Sequence, residues 1–150
     1  MNKITAVIIE DEIPAARRLN KIINEIRPEW QVTILPGSVE KSVEWFNKNP
    51  HPDIVFLDIQ LTDGISFTFI EQARPESTII FTTAYDEYAI RAFAVNSIDY
   101  LLKPIDSVRL EEAIAKFEHL TTKYLVQEQK TTDLIDILQN IANPCKKYRT

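Results

Sequence analysis

The chain has 150 residues, of which 45% are hydrophobic and 26% are charged, and its formal net charge is -5 at pH 7. This length and apolar content favour one soluble globular domain with a substantial core, plus a short appendage, and argue against a disordered chain. The negative charge argues against this chain being the main contact to nucleic acid, because phosphate binding depends on Lys and Arg.

The single cysteine, Cys145, has no partner for an internal disulfide and no neighbours with metal-ligand spacing. The first apolar run is too short for a signal peptide and is followed at once by acids. No apolar stretch approaches the length of a membrane span. These features predict a cytoplasmic protein of a reducing compartment that makes no contact with a membrane.

Five short apolar runs, each rich in Ile, Val, Phe or Leu, recur along the chain. Continuous runs of this kind are typical of strands that are buried on both faces of a parallel sheet. The predicted strands are Ile4–Ile9, Gln31–Leu35, Ile54–Leu57, Thr78–Thr83 and Asp99–Leu102.

Segments with helical spacing of their apolar residues lie between and after these strands. The first begins near Pro14, and the last, with Asp106 or Ser107 as its N-cap, has the longest apolar stripe. Their apolar faces consist of Ala15, Leu19, Ile22, Ile23 and Ile26; Val39, Val43 and Phe46; Phe67, Ile70 and Ala73; Ala89, Ala92 and Phe93; and Leu110, Ala113, Ile114, Phe117, Leu120 and Tyr124. Strand and helix alternate five times, which predicts an α/β fold with a doubly wound five-stranded parallel sheet.

The chain changes character near Gln127, where a polar stretch predicts the end of the domain, so that the domain spans residues 1–126. Apolar residues then recur at helical spacing at Leu134, Ile137, Leu138 and Ile141. They predict a C-terminal linker helix within residues 127–150, which is too short to be a second domain.

Polar side chains stand at the carboxyl ends of four predicted strands, where doubly wound sheets carry their functional sites. In strand order they are Glu10, Asp11 and Glu12; Asp58; Thr82 and Thr83; and Lys103, which precedes Pro104. Taken singly, an Asp after a strand is usually a turn former or a helix cap, and a Lys is usually a surface residue. Because four strand ends meet at one edge of the sheet, the set as a whole favours a functional site.

The chemistry of this set is coherent. Carboxylates that lie close together repel one another and need a compensating cation, and Mg²⁺ prefers sites made of oxygen ligands. A carboxylate beside Mg²⁺ can attack a phosphoryl group and form an aspartyl phosphate, while an ammonium group and a hydroxyl stabilise the phosphoryl oxygens. The chain has only two glycines, Gly37 and Gly64, and no glycine-rich phosphate loop, which disfavours NTP or NAD binding.

Three motifs within roughly Lys3 to Leu125 resemble those of the receiver domain of two-component response regulators: IIEDE, VFLDIQLTDG and FTTAYDEYAIRAFAVNSIDYLLKP. The segments TAYDEYAIRAF and DYLLKP are similar to the subgroup in which a LytTR-type (LytR/AlgR) DNA-binding domain follows the receiver. The resemblance implies the (βα)5 flavodoxin-like receiver fold. It also implies a phosphoacceptor signalling domain rather than an enzyme, one that promotes its own phosphotransfer and dephosphorylation.

The resemblance further implies a role for each site residue. Asp58 would be the phosphoacceptor that receives phosphate from a sensor histidine kinase, with Mg²⁺ as the cofactor. The metal ligands would be Glu10, Asp11, Asp58 and the backbone carbonyl of Gln60; the phosphate contacts would be Thr83 and Lys103; the switch residues would be Thr83 and Tyr100; and the Lys103–Pro104 peptide bond would be cis. Glu10 stands where many relatives carry Asp.

Phosphorylation is expected to form a homodimer and to regulate transcription through a C-terminal DNA-binding domain that is absent from this chain, which looks like a fragment of a longer protein. One alternative is a receiver-like module that binds proteins without taking phosphate. Two others are disfavoured. A phosphatase of the haloacid dehalogenase kind needs an acid where Gln60 stands, and a flavodoxin-like FMN protein needs a phosphate loop where Glu10 and Asp11 stand.

Overall fold

The structure, a computed structural model, describes residues 3–84 and 99–130, the last nine of these by their backbone alone. Helices are found on both faces of the main sheet, and a two-stranded hairpin follows its third strand. The strands of the main sheet are β1 (Thr5–Glu10), β2 (Gln31–Pro36), β3 (Ile54–Asp58), β6 (Thr78–Thr83) and β7 (Asp99–Leu102); the hairpin is β4 (Gln60–Leu61) and β5 (Gly64–Ile65); and the helices are α1 (Ile13–Ile26), α2 (Val39–Lys48), α3 (Ser66–Ala73) and α4 (Ser107–Lys130).

The five long strands form one parallel sheet in the order β2-β1-β3-β6-β7. This order confirms the predicted doubly wound five-stranded sheet, with β3 in its centre between β1 and β6. The strand register places Asp58 opposite Thr82, and Thr83 opposite Leu102. The helix predicted around Ala89 lies outside the described residues.

The sheet separates two apolar cores. On one face, side chains of β1, β3 and β6 pack against α1 and α4, with Trp30 and Phe117 in edge-to-face contact. On the other face they pack against α2 and α3. All five residues of β3 are buried, which explains why its sequence lacks the polar alternation of a half-exposed strand.

Three strand ends differ from the predicted ones. β1, β2 and β3 each run one residue further, so that Glu10 and Asp58 are the last residues of their strands rather than loop residues. The hairpin of β4 and β5 was not predicted, because strands of two residues have no detectable periodicity. The main consequence is that the sheet itself fixes the backbone of Glu10 and Asp58.

The apolar stripe predicted for the last helix ends earlier than expected, because Leu120 is 46% exposed. Leu120 lies about 20 Å along α4, which is about the length that a strand of six residues spans, so the helix reaches the end of the sheet near this residue. The side chain of Tyr124 lies outside the described residues. At the other end of the helix, the Asp106 side chain accepts a hydrogen bond from the Arg109 N–H at 3.1 Å, which confirms Asp106 as the N-cap.

α4 continues to Lys130, past the polar stretch that begins at Gln127. Gln, Glu and Lys all favour helix, so this stretch need not end it. The linker helix predicted from Leu134 onward lies outside the described residues, and the domain boundary at 126/127 stays a prediction. Among the helices of residues 3–84 and 99–130, none has the length and apolar character to cross a membrane.

Ion pairs hold α4 against the rest of the domain. Arg27, which follows α1, donates two hydrogen bonds to the Glu118 carboxylate, at 2.7 and 2.8 Å. Asp99, at the start of β7, pairs with Arg109 at 3.0 Å and with Lys116 at 3.2 Å. Burial alone would raise the pKa of Asp99, but these cations and the Tyr100 N–H hold it below its ordinary value.

Candidate functional site

The carboxyl ends of β1, β3 and β6 bring four buried polar side chains to one edge of the sheet. Glu10 and Asp58 end their strands and are each 6% exposed, while Thr82 and Thr83 are almost fully buried. Buried apolar residues precede Glu10, Asp58 and the Thr82–Thr83 pair in their strands, so the packing that fixes the strands also fixes these polar groups. The predicted edge is therefore assembled by the fold.

Three carboxylates gather at this edge. Oxygen atoms of Glu10, Asp11 and Asp58 all lie within 4.8 Å of one another. Glu10 and Asp58 are buried, whereas Asp11 is exposed and opens the cluster to solvent. An all-oxygen donor set with one solvent-facing side fits Mg²⁺, which keeps several of its waters when bound to carboxylates. Gln60, whose carbonyl is the other predicted ligand, follows Asp58 by two residues in β4.

The Lys103 ammonium lies between two of these carboxylates. Its Nζ is 2.6 Å from Glu10 Oε1 and 3.0 Å from Asp58 Oδ2. Burial by itself would lower the pKa of Lys103, but the two carboxylates outweigh it and raise the pKa. Lys103 follows β7, its N–H donates to the Thr83 carbonyl at 2.7 Å, and its peptide bond to Pro104 is cis. The cation is thus held by its backbone as well as by its charge.

The Glu10 carboxyl is strongly perturbed. Burial raises its pKa, the hydrogen bond from Lys103 opposes this, and repulsion from Asp58 adds to it, so that the pKa of Glu10 reaches about 7. One ammonium therefore only partly offsets two buried carboxylates at neutral pH. A divalent cation at this edge would favour the ionised form of Glu10.

We expect the protein in a chelating buffer to lose stability between pH 5.5 and pH 8 because of Glu10. The folded protein binds the Glu10 proton more tightly than the unfolded chain does, because the pKa of Glu10 rises from 4.5 to about 7 on folding. This difference stabilises the fold fully below pH 4.5, and the stabilisation is lost as the pH rises through about 7. The expected change is about 1–2 kcal/mol after allowance for solvent screening.

Urea unfolding of the parent and of Glu10→Gln at both pH values measures this effect. The glutamine keeps an acceptor for Lys103 but cannot ionise, so its stability should lack the decline. Glu12→Gln, a change at an exposed acid two residues away, should keep the parental decline. An equal decline in parent and Glu10→Gln would show that Glu10 does not cause it.

The two predicted switch residues lie on neighbouring strands. Thr83 is buried at the end of β6, and half-buried Tyr100 lies in β7 opposite Phe81 and packs against the core that contains α2 and α3. The residues between these strands, 85–98, lie outside the described residues.

Sequence reasoning missed a set of contacts beside the acidic cluster. An Asp-Gly pair such as Asp63–Gly64 is typical of a turn, but the Asp63 carboxylate caps α2: it accepts from the Val39 N–H at 2.6 Å, the Glu40 N–H at 3.1 Å and the Ser38 hydroxyl at 3.1 Å. These hydrogen bonds hold the pKa of Asp63 below its ordinary value, and the two backbone N–H groups have the largest effect. No local signal could have shown this, because a cap is normally sought at Ser38, directly before the helix.

Comparison with known proteins places the chain among signalling proteins. The family described as response regulator receiver domain matches residues 6–115. The chain is 32% identical over 146 residues to the sensory transduction protein LytT of Bacillus anthracis, covering 94% of this chain and 58% of that protein. It is 32% identical over 130 residues to the sensory transduction protein LytR of Streptococcus mutans serotype c, covering 85% and 53%. The chain thus spans little more than half the length of these relatives.

Solved structures with the same fold include two bacterial domains. The response regulatory domain of protein mrkE from Klebsiella pneumoniae matches with a TM-score of 0.69 and 24% identity over 80% of this chain and 99% of that one. The CheY-like response regulator receiver domain from Methylobacillus flagellatus matches with a TM-score of 0.67 and 21% identity, over 77% and 99%. At these identities the likeness shows the fold alone.

Proposed function

Because this chain belongs to the response regulator receiver domain family, we propose that it accepts a phosphoryl group on Asp58 and changes conformation in response. The observation that carries the proposal is the buried Asp58 carboxylate, 3.0 Å from the Lys103 ammonium and grouped with Glu10 and Asp11. This edge combines a nucleophile, a metal-binding set and a fixed cation, the three components that phosphoryl transfer to a carboxylate requires.

The phosphoryl donor is a phosphohistidine of a sensor kinase. An oxygen of Asp58 attacks the phosphorus, a P–O bond forms, and the P–N bond to the imidazole breaks, so that the leaving nitrogen keeps its electron pair and takes a proton. Glu10, Asp11, Asp58 and the Gln60 carbonyl would hold Mg²⁺, which would supply positive charge for the phosphoryl oxygens. Lys103 supplies a second positive charge from the protein itself.

Phosphorylation replaces the single negative charge of the Asp58 carboxylate with a phosphoryl group that carries nearly two negative charges and three acceptor oxygens. Lys103 then exchanges part of its pairing with the carboxylates for the phosphoryl group, and the Thr83 hydroxyl turns toward it. Tyr100, which lies in β7 next to β6, fills the space that the Thr83 hydroxyl vacates. The end of β6 thereby carries the signal away from the phosphate.

The wider role follows from the relatives and from the sequence. Residues 1–126 act as the receiver and residues 127–150 as a linker helix to a DNA-binding output domain. A phosphorylation-dependent homodimer then regulates transcription in the cytoplasm. The similarity to proteins named LytT and LytR supports this part of the proposal.

Intact-mass spectrometry after incubation with acetyl phosphate and Mg²⁺ tests the proposal. We expect a gain of one phosphoryl group that is labile to base, and no gain when EDTA is present. If the mass is unchanged while the protein binds Mg²⁺ and is folded, the domain is a phosphate-independent binding module. Steady release of inorganic phosphate from a generic phosphate ester would instead support a phosphatase.

A further inference from the structure

Gly37, in the loop between β2 and α2, lies directly against the backbone of Asp11. A Cβ atom at position 37 would come within 2.2 Å of both the N and the Cα atom of Asp11. Real Cβ atoms do not approach backbone atoms this closely, so any other residue at position 37 must push the two loops apart. Asp11 begins the loop between β1 and α1, where the backbone has little freedom to yield because Glu10 is still paired in the sheet.

The Gly37 loop is also tied to the segment that follows Asp58. The carbonyl of Gly37 accepts two hydrogen bonds from Thr62, one from its N–H at 2.9 Å and one from its hydroxyl at 3.0 Å. Asp63, the next residue, binds the first N–H groups of α2. Thr62 stands two residues after Gln60, whose carbonyl is a proposed metal ligand. The two segments that carry proposed metal ligands, the loop that begins at Asp11 and the segment after Asp58, are therefore joined through Gly37.

We propose that Gly37 is a positioning residue for the metal site, which sets the distance between Asp11 and the segment Gln60–Thr62. This inference rests on the proposed function, because it concerns the same metal site. Gly37 would not itself be a metal ligand but acts through its two neighbours: the lack of a side chain lets Asp11 approach, and the carbonyl holds Thr62. Outer contacts of this kind orient the ligands and determine metal affinity.

The affinity for Mn²⁺ tests this proposal, because Mn²⁺ takes oxygen ligands as Mg²⁺ does and its free form is measured by its EPR signal. We expect Gly37→Ala to weaken binding by about tenfold or more, the loss typical of a disrupted outer contact. Gly64→Ala is the matched control. Gly64 has a φ of +151°, so alanine is strained there, but its Cβ would meet only Val39 Cγ2, at 3.7 Å. Gly64→Ala should lower stability and leave the Mn²⁺ affinity within about twofold of the parent.

A second pair of variants tests the hydrogen bonds between the Gly37 carbonyl and Thr62, and neither variant introduces a steric clash. Thr62→Val removes the hydroxyl hydrogen bond and keeps the N–H bond, so we expect about a threefold loss of affinity. Thr62→Ser keeps both bonds and should bind as the parent does. This pair also serves if Gly37→Ala does not fold.

The outcomes separate the inference from the proposed function. If the parent fails to bind Mn²⁺, or binds it equally well after Asp11→Asn, the metal site itself is wrong and the inference fails with it. If the parent binds and Asp11→Asn does not, the metal site stands. Parental affinity in Gly37→Ala and Thr62→Val would then overturn the inference. The inference would also be overturned if the loss of Mn²⁺ affinity in Gly37→Ala merely followed its loss of stability in urea and were equally large in Gly64→Ala.

Discussion

Asp58→Asn is expected to abolish phosphorylation by acetyl phosphate, with no detectable gain in mass under conditions that label the parent fully. Asparagine has the same shape as aspartate, but its neutral amide is no nucleophile toward phosphorus. The substitution also removes one of the crowded carboxylates at this edge, so the variant should fold at least as stably as the parent at pH 8 in a chelating buffer. The measurement is intact mass, with urea unfolding as the check on folding.

Asp53→Asn is the matched control for this prediction. Asp53 precedes the same strand at its opposite end, where one carboxylate oxygen accepts hydrogen bonds from the backbone and hydroxyl of Thr5. Asparagine keeps an oxygen that can accept these bonds, and the change leaves the phosphoacceptor intact, so Asp53→Asn should gain one phosphoryl group. Labelling of Asp58→Asn to the parental level would mean that another residue takes the phosphate.

The sheet and its site edge could be predicted from the sequence because both depend on strong local patterns. β3 is buried on both faces and therefore reads as an unbroken apolar run, and a polar residue such as Asp58 at its end is conspicuous. Lys103 is conspicuous for the same reason after β7. The topology of doubly wound sheets then brings these ends together without further information.

The contacts that join the loops could not be predicted, because they link residues far apart in sequence that are individually unremarkable. Asp63 in a DG pair indicates a turn, and nothing local shows that its carboxylate caps a helix 24 residues earlier. Gly37 likewise fits a loop whatever it contacts. The exposure of Leu120 was missed for a different reason, since periodicity shows which face of a helix is apolar but not where the neighbouring sheet ends.

Lys103→Met is expected to lower the free energy of unfolding by about 3 kcal/mol at pH 8 in a chelating buffer, because it leaves buried carboxylates without their cation. Methionine replaces the apolar stem of the lysine and leaves out only the charged end, so packing changes little. Glu10 and Asp58 then lose the ammonium that lies 2.6 and 3.0 Å from their oxygens. At pH 5.5, where Glu10 takes up a proton, the loss should be smaller.

Mg²⁺ distinguishes this electrostatic explanation from a packing defect. A cation bound to the folded state stabilises it more the further its concentration exceeds its Kd, and a site that has lost its ammonium should bind Mg²⁺ more tightly. Millimolar Mg²⁺ should therefore restore more stability to Lys103→Met than it adds to the parent.

Lys116→Met is the control, because Asp99 keeps Arg109 as a partner in that variant. The change should cost less than about 1 kcal/mol and should not respond to Mg²⁺. An equal loss in both variants, or a loss in Lys103→Met that neither Mg²⁺ nor acid reduces, would show that Lys103 supports the site by packing rather than by charge.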